Sequence, residues 1–163
     1  MTSKNESLHV DSYERTWIIA SIILVILFFI AITIAGTMMG IQVPGQVGRV
    51  DPNTVAQSGE FAEPGLRELA PGKYEAHVLA KTWSFDPREI TVPKGSTVTF
   101  YVTSSDVQHG FKIQDTNMNV MVLPGQVASL TITFDEAGEY PYICTEYCGL
   151  GHAAMFGKVI VTD

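Results

Sequence analysis

Cysteine is almost missing from this chain. There are two in 163 residues, and both fall in the single run Cys144-Thr145-Glu146-Tyr147-Cys148. That leaves room for one disulfide at most, not a framework of several. The attachment motif Cys-x-x-Cys-His is absent, so covalently held heme is excluded. Basic residues are also scarce: 10 Lys and Arg stand against 17 Asp and Glu, a formal net charge of −7. Nucleic acid is excluded as a partner on that ground, because it needs a basic face. The acidic balance suits steering of a positively charged protein, and it serves solubility equally well. Internal repeats and low-complexity tracts are lacking as well.

One stretch lacks charge altogether. Residues 17–39 read WIIASIILVILFFIAITIAGTMM. At about 1.5 Å per residue this run crosses a hydrocarbon core of about 30 Å with room for tilt. A cleaved signal peptide would have a shorter apolar region behind a positive flank. Here the leading residues 1–16 are mixed in charge, so the run predicts an uncleaved membrane anchor in the lipid bilayer. Lys4 and Arg15 precede it and Arg49 is the nearest basic residue after it. That leans towards an N-terminus on the cytoplasmic side.

Residues 40–72 are rich in Gly, Pro and polar side chains and read as a linker with little regular structure. Beyond them come short β-branched and aromatic runs, predicting strands at 74–83, 89–92, 97–103, 110–113, 127–134, 138–143 and 158–161. Turn residues at 93–95, 124–125 and 136–138 separate them. Several short strands at such intervals make an all-β sandwich the expected fold of residues 73–163.

The chemistry is concentrated where the cysteines are. Cys144, Cys148, His152 and Met155 follow one another as Cys-x3-Cys-x3-His-x2-Met. Thiolate and thioether are soft ligands that favour copper, and imidazole suits copper too. Paired thiolates can bridge a pair of copper ions, leaving each ion to find a histidine and a weaker ligand. His109, upstream in Val107-Gln108-His109-Gly110-Phe111, is the candidate for the second histidine. A disulfide closing so short a loop would add little stability. Zinc on two Cys and two His remains an alternative that Met155 speaks against. His9, His77, Met118 and Met121 read as ordinary tail, strand and packing residues.

With His109 added, the set resembles the binuclear CuA centre of cytochrome c oxidase subunit II. The resemblance implies a Greek-key cupredoxin sandwich behind a single membrane helix. It also implies that the Glu146 backbone carbonyl joins His109, Cys144, Cys148, His152 and Met155 as a copper ligand. The Glu146 side chain would help hold magnesium against subunit I. The single helix and the run Ser12-Tyr13-Glu14-Arg15-Thr16-Trp17 are similar to the B-type heme–copper oxidases. There a Glu at the place of Glu14 lies near the entrance of a proton channel. Mitochondrial-type members carry Trp-x-Trp-Ser-Tyr near the copper, and the first Trp receives electrons. This chain reads Lys81-Thr82-Trp83-Ser84-Phe85, which leaves Trp83 as the candidate.

The implied function is electron acceptance from a periplasmic cytochrome c or small copper protein. Electrons would pass to the hemes and CuB of subunit I, where oxygen is reduced to water and protons are moved. A small additional membrane subunit could accompany them. The implied location is the inner membrane, with the copper domain periplasmic. Two alternatives share the residues: a CuA-bearing subunit of a nitric oxide reductase, and a membrane-anchored copper-binding or copper-delivery protein.

Overall fold

The computed structural model describes residues 11–39 and 45–163, so His9, Lys4 and residue 40 lie outside it. The chain divides into two units, Met1–Ile41 and Gln42–Asp163.

In the first unit, a helix α1 runs over Ser12–Met38. It begins a turn earlier than the uncharged run, because Asp11 caps it: the Asp11 carboxylate accepts from Tyr13 N–H at 2.8 Å. Glu14 falls in the first turn, where the helix dipole favours negative charge. The hydroxyls of Thr16 and Thr33 donate to the Ser12 and Phe29 carbonyls, both at 2.8 Å. These threonine hydroxyls are thus satisfied within the helix, which suits an apolar surrounding. At 27 residues the helix is about 40 Å long. Among the described residues it is the one helix long and apolar enough to cross a membrane.

The second unit is two sheets. One has the order Gly45–Arg49, Gln126–Phe134, Ser96–Ser104, Lys73–Lys81, Gly65–Ala70, with Ser84–Asp86 paired to Lys73–Lys81; the other has the order Glu89–Pro93, Phe156–Thr162, Gly138–Ile143, His109–Ile113, Asn119–Val122. The strands are β1 (Gly45–Arg49), β2 (Gly65–Ala70), β3 (Lys73–Lys81), β4 (Ser84–Asp86), β5 (Glu89–Pro93) and β6 (Ser96–Ser104). They continue with β7 (His109–Ile113), β8 (Asn119–Val122), β9 (Gln126–Phe134), β10 (Gly138–Ile143) and β11 (Phe156–Thr162). β3 with β6 and β5 with β11 pair in parallel, and the other pairs are antiparallel.

Alternation along β5, β6, β8 and β11 builds the core between the sheets. Val98, Phe100 and Val102 of β6 meet Phe111, Ile113, Tyr142 and Val159 of the other sheet in one buried cluster. Phe111 sits among Phe85 at 5.2 Å and Tyr142 at 5.0 Å between ring centroids. The buried Tyr142 hydroxyl is not orphaned: it donates to the Pro87 carbonyl at 2.7 Å.

The expected linker is the main departure. Residues 45–49 and 65–70 are strands at the two edges of one sheet, paired to β9 and β3. Between them Val55 and Phe61 are buried with Leu79 and Val127 in a second, smaller cluster. This explains why β3 is buried at every position from Ala76 to Ala80 rather than at alternate ones. Long-range pairing overrides a composition that reads as loop. β4 and β8 are likewise strands where none was expected. Met118 packs as expected, whereas Met121, on the edge strand β8, is 55% exposed.

Candidate metal centre

β10 delivers the chain into residues 144–155 and β11 takes it away. Ile143 pairs with Phe156, and the Cys144 N–H donates to the Met155 carbonyl at 3.2 Å. The loop is therefore clamped at its neck by the sheet. Inside it a short 3-10 helix, His152–Ala154, turns the chain back; its bonds run from Ala154 N–H to Gly151 O and from Met155 N–H to His152 O.

This geometry gathers the soft side chains. The sulfurs of Cys144 and Cys148 stand 3.9 Å apart, and both thiols are free. A disulfide would hold them at about 2.05 Å. His109 Nδ1 lies 3.8 Å from the Cys144 sulfur, and His152 Nδ1 lies 3.7 Å from the Cys148 sulfur. The Met155 sulfur is 3.6 Å from Cys148, and the Glu146 carbonyl oxygen is 3.1 Å from Cys144. Donor atoms of His109, Cys144 and Cys148 all fall within 4.8 Å of one another. These three residues and Met155 are buried, while His152 is half-buried at the mouth. The donors alternate around the sulfur pair, one imidazole beside each thiol, and so fit soft metal held between two thiolates.

Burial pushes the Cys148 thiol up, and the adjacent Cys144 adds to this; N–H groups of Trp83 and Cys148 pull the other way without prevailing. Metal must therefore displace protons here.

His109 is oriented by a residue that sequence reasoning passed over. Its Nε2 meets Asp106 Oδ1 at 2.9 Å, which leaves Nδ1 free to face the sulfurs. Asp106 also accepts from the N–H and hydroxyl of Thr82 and from Val107 N–H. Burial alone would raise the Asp106 carboxyl, but these hydrogen bonds outweigh it and hold it down at about 2. The signal was a carboxylate three residues before the histidine, too common a pattern to stand out. Gly110 was also missed. A Cβ there would meet Thr145 Oγ1 at 2.0 Å and the Thr145 nitrogen at 2.9 Å, so only glycine lets β7 approach the loop this closely.

Trp83 does not continue β3. The strand ends at Lys81, and Trp83 sits in the following turn with φ 69°. Its indole lies over the ligand loop, where a Cβ at Gly151 would meet the ring at 2.5 Å. At 44% exposure it is a cover of the loop rather than a core aromatic. Lys81 does not share a strand face with it; the ammonium turns to Asp86 at 3.4 Å. The Glu146 carboxylate is half-buried and accepts from Gln108 Nε2 at 3.4 Å.

A β-sandwich holding Cys, His and Met donors on a loop between its last two strands defines a cupredoxin, and the cupredoxin-like domain family matches residues 67–161. Two relatives called cytochrome c oxidase subunit 2, both from Thermus thermophilus, extend the likeness beyond that domain. One is 42% identical over 156 residues, covering 93% of each chain. The other is 44% identical over 135 residues, covering 82% of this chain and all of the relative. A chain of a heme–copper terminal oxidase dimer superposes with a TM-score of 0.71 at 38% identity, over 92% of this chain and 99% of that one. The chain belongs to the cytochrome c oxidase subunit 2 family.

Proposed function

We propose that this chain is the electron-accepting subunit of a heme–copper oxidase. It takes electrons singly from a soluble carrier and delivers them to a subunit I that reduces oxygen. The observation that carries this reading is the pair of buried thiols, each with its own imidazole. His109, Cys144, Cys148, His152, Met155 and the Glu146 carbonyl would hold a pair of copper ions. When bound, such a pair supplies a one-electron couple shared by both metals. The clamped neck of the loop limits donor movement between redox states, and burial keeps water from the sulfurs. Metal analysis and electron paramagnetic resonance of the purified complex, with an oxygen-uptake assay, test the reading. A single copper, or zinc, in well-folded protein would overturn it.

The membrane helix anchors the chain in the inner membrane. Lys4 and Arg15 before it set the N-terminus cytoplasmic and the copper domain periplasmic. The Glu146 carboxylate, facing out beside its own ligand carbonyl, is placed to hold magnesium against subunit I. A cytochrome c or small copper protein is the donor. Its docking face is the rim of the ligand loop, where Tyr147, Leu150 and Phe156 are exposed along with Trp83. A small additional membrane subunit completes the assembly.

Glu14 at the start of the helix serves proton uptake by subunit I. Glu14→Gln is expected to slow oxygen turnover several-fold, leaving the copper spectrum and the rate of copper reduction unchanged. Full turnover across the working pH range would make Glu14 an ordinary helix-start carboxylate.

Trp83 is the part of this rim whose indole rests on Gly149 and Gly151 of the ligand loop. Stopped-flow reduction by the donor is expected to slow with Trp83→Ala, and less with Trp83→Phe. Lys81→Glu exchanges a cation for an anion and should speed association with a basic donor at low salt, where screening is weak. A normal rate in Trp83→Ala with lowered thermal stability would show that electrons go straight to the ligand loop.

A further inference from the structure

The outer face of the sheet that contains β3 carries a second polar constellation, away from the copper ligands. Residues 51–63 cross this face as a strap. The strap's own backbone bonds are local, such as Val55 N–H to Asp51 O and Ala62 N–H to Gly59 O. Its hold on the sheet comes from elsewhere. Val55 and Phe61 pack on Leu79 and Val127. Arg67 of β2 donates through Nη2 to the Glu60 and Glu63 carbonyls, at 3.0 and 3.3 Å. His77 of β3 meets the Glu60 carboxylate at 3.4 Å. A cavity of about 570 Å³ opens beside these contacts, lined by Arg49, Asp51, Glu60, Glu75, His77 and Tyr101 among others.

His77 is 1% exposed and was expected to be a plain strand residue. It is instead wedged between charges. Arg67 Nη1 is 3.2 Å from its Nδ1. A guanidinium has only donors, so Nδ1 is the acceptor and the ring proton sits on Nε2, the nitrogen that faces the Glu60 carboxylate. That tautomer leaves no lone pair towards Glu60 and Glu75, which argues against a metal ion there. It also fixes where a second proton must go: onto Nδ1, against the guanidinium. Arg67 would then have to withdraw, and it is the same group that grips the strap's carbonyls.

We propose that His77 is a proton-operated latch, holding the 51–63 strap closed as a neutral ring and releasing it, with its apolar cluster and cavity, when protonated. This goes beyond the electron-transfer reading and does not depend on it.

All the groups facing the ring enter the balance. Burial and Arg67 disfavour the imidazolium, whereas Glu60 of the strap and Glu75 of β3 favour it. Tyr101 of β6 stacks on the ring at 5.1 Å and donates to Glu75 at 3.5 Å, and Phe61 lies edge-on at 5.4 Å. Arg49 and Asp51 line the cavity further out. Burial and Arg67 prevail, and His77 is held below its ordinary 6.5. A base with a lowered folded-state pKa contributes its full stabilisation above pH 6.5. It loses that contribution as the pH falls from there through the lowered value. Within this window each pH unit multiplies the open-to-closed ratio by up to about tenfold.

The test is amide hydrogen exchange of the full chain in detergent, read by mass spectrometry for peptides spanning 51–63. Rates are corrected for intrinsic exchange between about pH 7.5 and 5.5, a range in which ordinary carboxylates stay ionised. Opening of the strap should be flat above pH 6.5 and rise towards tenfold per unit below it, while β6 and β9 stay protected. His77→Gln, which cannot titrate, should remove the slope. Arg67→Met should loosen the strap at every pH and flatten the slope. A wild-type strap insensitive to pH, or an unchanged slope in His77→Gln, overturns the proposal. Should His77→Gln fail to fold, imidazole nitrogen shifts of the wild type decide. An Nε2–H tautomer that gains its second proton below pH 6.5 supports the latch, and an Nδ1–H tautomer or a ring charged above pH 6.5 refutes it.

Discussion

Cys144→Ser and Cys148→Ser are each expected to reduce bound copper from the proposed pair of ions to at most one. The purple colour and mixed-valence resonance signal expected of such a pair should be lost in both variants. A hydroxyl is a harder and far less acidic donor than a thiol, so it does not bridge soft copper. The sulfurs stand 3.9 Å apart, with one imidazole behind each, so losing either sulfur leaves the other with an incomplete donor set. The sandwich itself should survive, because its main core is made by the strands beneath the loop. Copper analysis, visible absorption and thermal unfolding of each variant check this. Retention of a pair of coppers in either variant would mean that the thiols do not bridge.

Gly110 is the second position at which a single change should have a large effect. Gly110→Ala adds one carbon against Thr145 Oγ1 at 2.0 Å and against the Thr145 and Glu146 nitrogens at 2.9 and 3.0 Å. The hydroxyl can rotate away, but the two backbone nitrogens cannot. The loop must lift between Cys144 and the Glu146 carbonyl, which are proposed neighbours in the copper shell. Overpacking of this kind costs about 1–3 kcal/mol. Copper affinity should drop and the absorption bands shift, and Gly110→Val should lose copper altogether. Adding Thr145→Ala to Gly110→Ala removes the worst contact and should restore part of the loss, a non-additivity expected of touching residues. Wild-type copper binding in Gly110→Ala would show that the loop is soft at this point.

The copper loop is legible in the sequence because its chemistry is local. Cys144, Cys148, His152 and Met155 lie within one short run, and their spacing alone suggests their company. The core strands are legible for a similar reason: alternation in β6, β9 and β11 repeats every second residue and needs no distant information. What stays hidden depends on partners far along the chain. Val55 and Phe61 are lone apolar residues in a polar stretch, and only Leu79 and Val127 make them core. Gly45–Arg49 becomes a strand because β9 is beside it, not because of its own residues. Asp106 and Gly110 act through His109 and Thr145, and neither relation leaves a periodic trace. Lys81 and Trp83 read as neighbours on one strand face, but the left-handed φ at Trp83 takes it out of the strand.

The neck that clamps the ligand loop makes that loop a removable part. Its ends, Cys144 and Met155, are joined by a backbone hydrogen bond and flanked by the paired Ile143 and Phe156, so the strand pairing beneath it ends in a closed hairpin. Residues between them can change in number and kind without altering what the sheet must pair. A shorter insert with one cysteine would hold one metal ion, and a different donor set another metal. A transplanted insert has two steric rules to obey: the backbone after Cys144 must lie flat over Gly110, and its far side must leave room for the Trp83 indole, as Gly149 and Gly151 do here. The scaffold supplies His109 and sets how closely a graft must fit, and the donors of the insert decide which element joins it there.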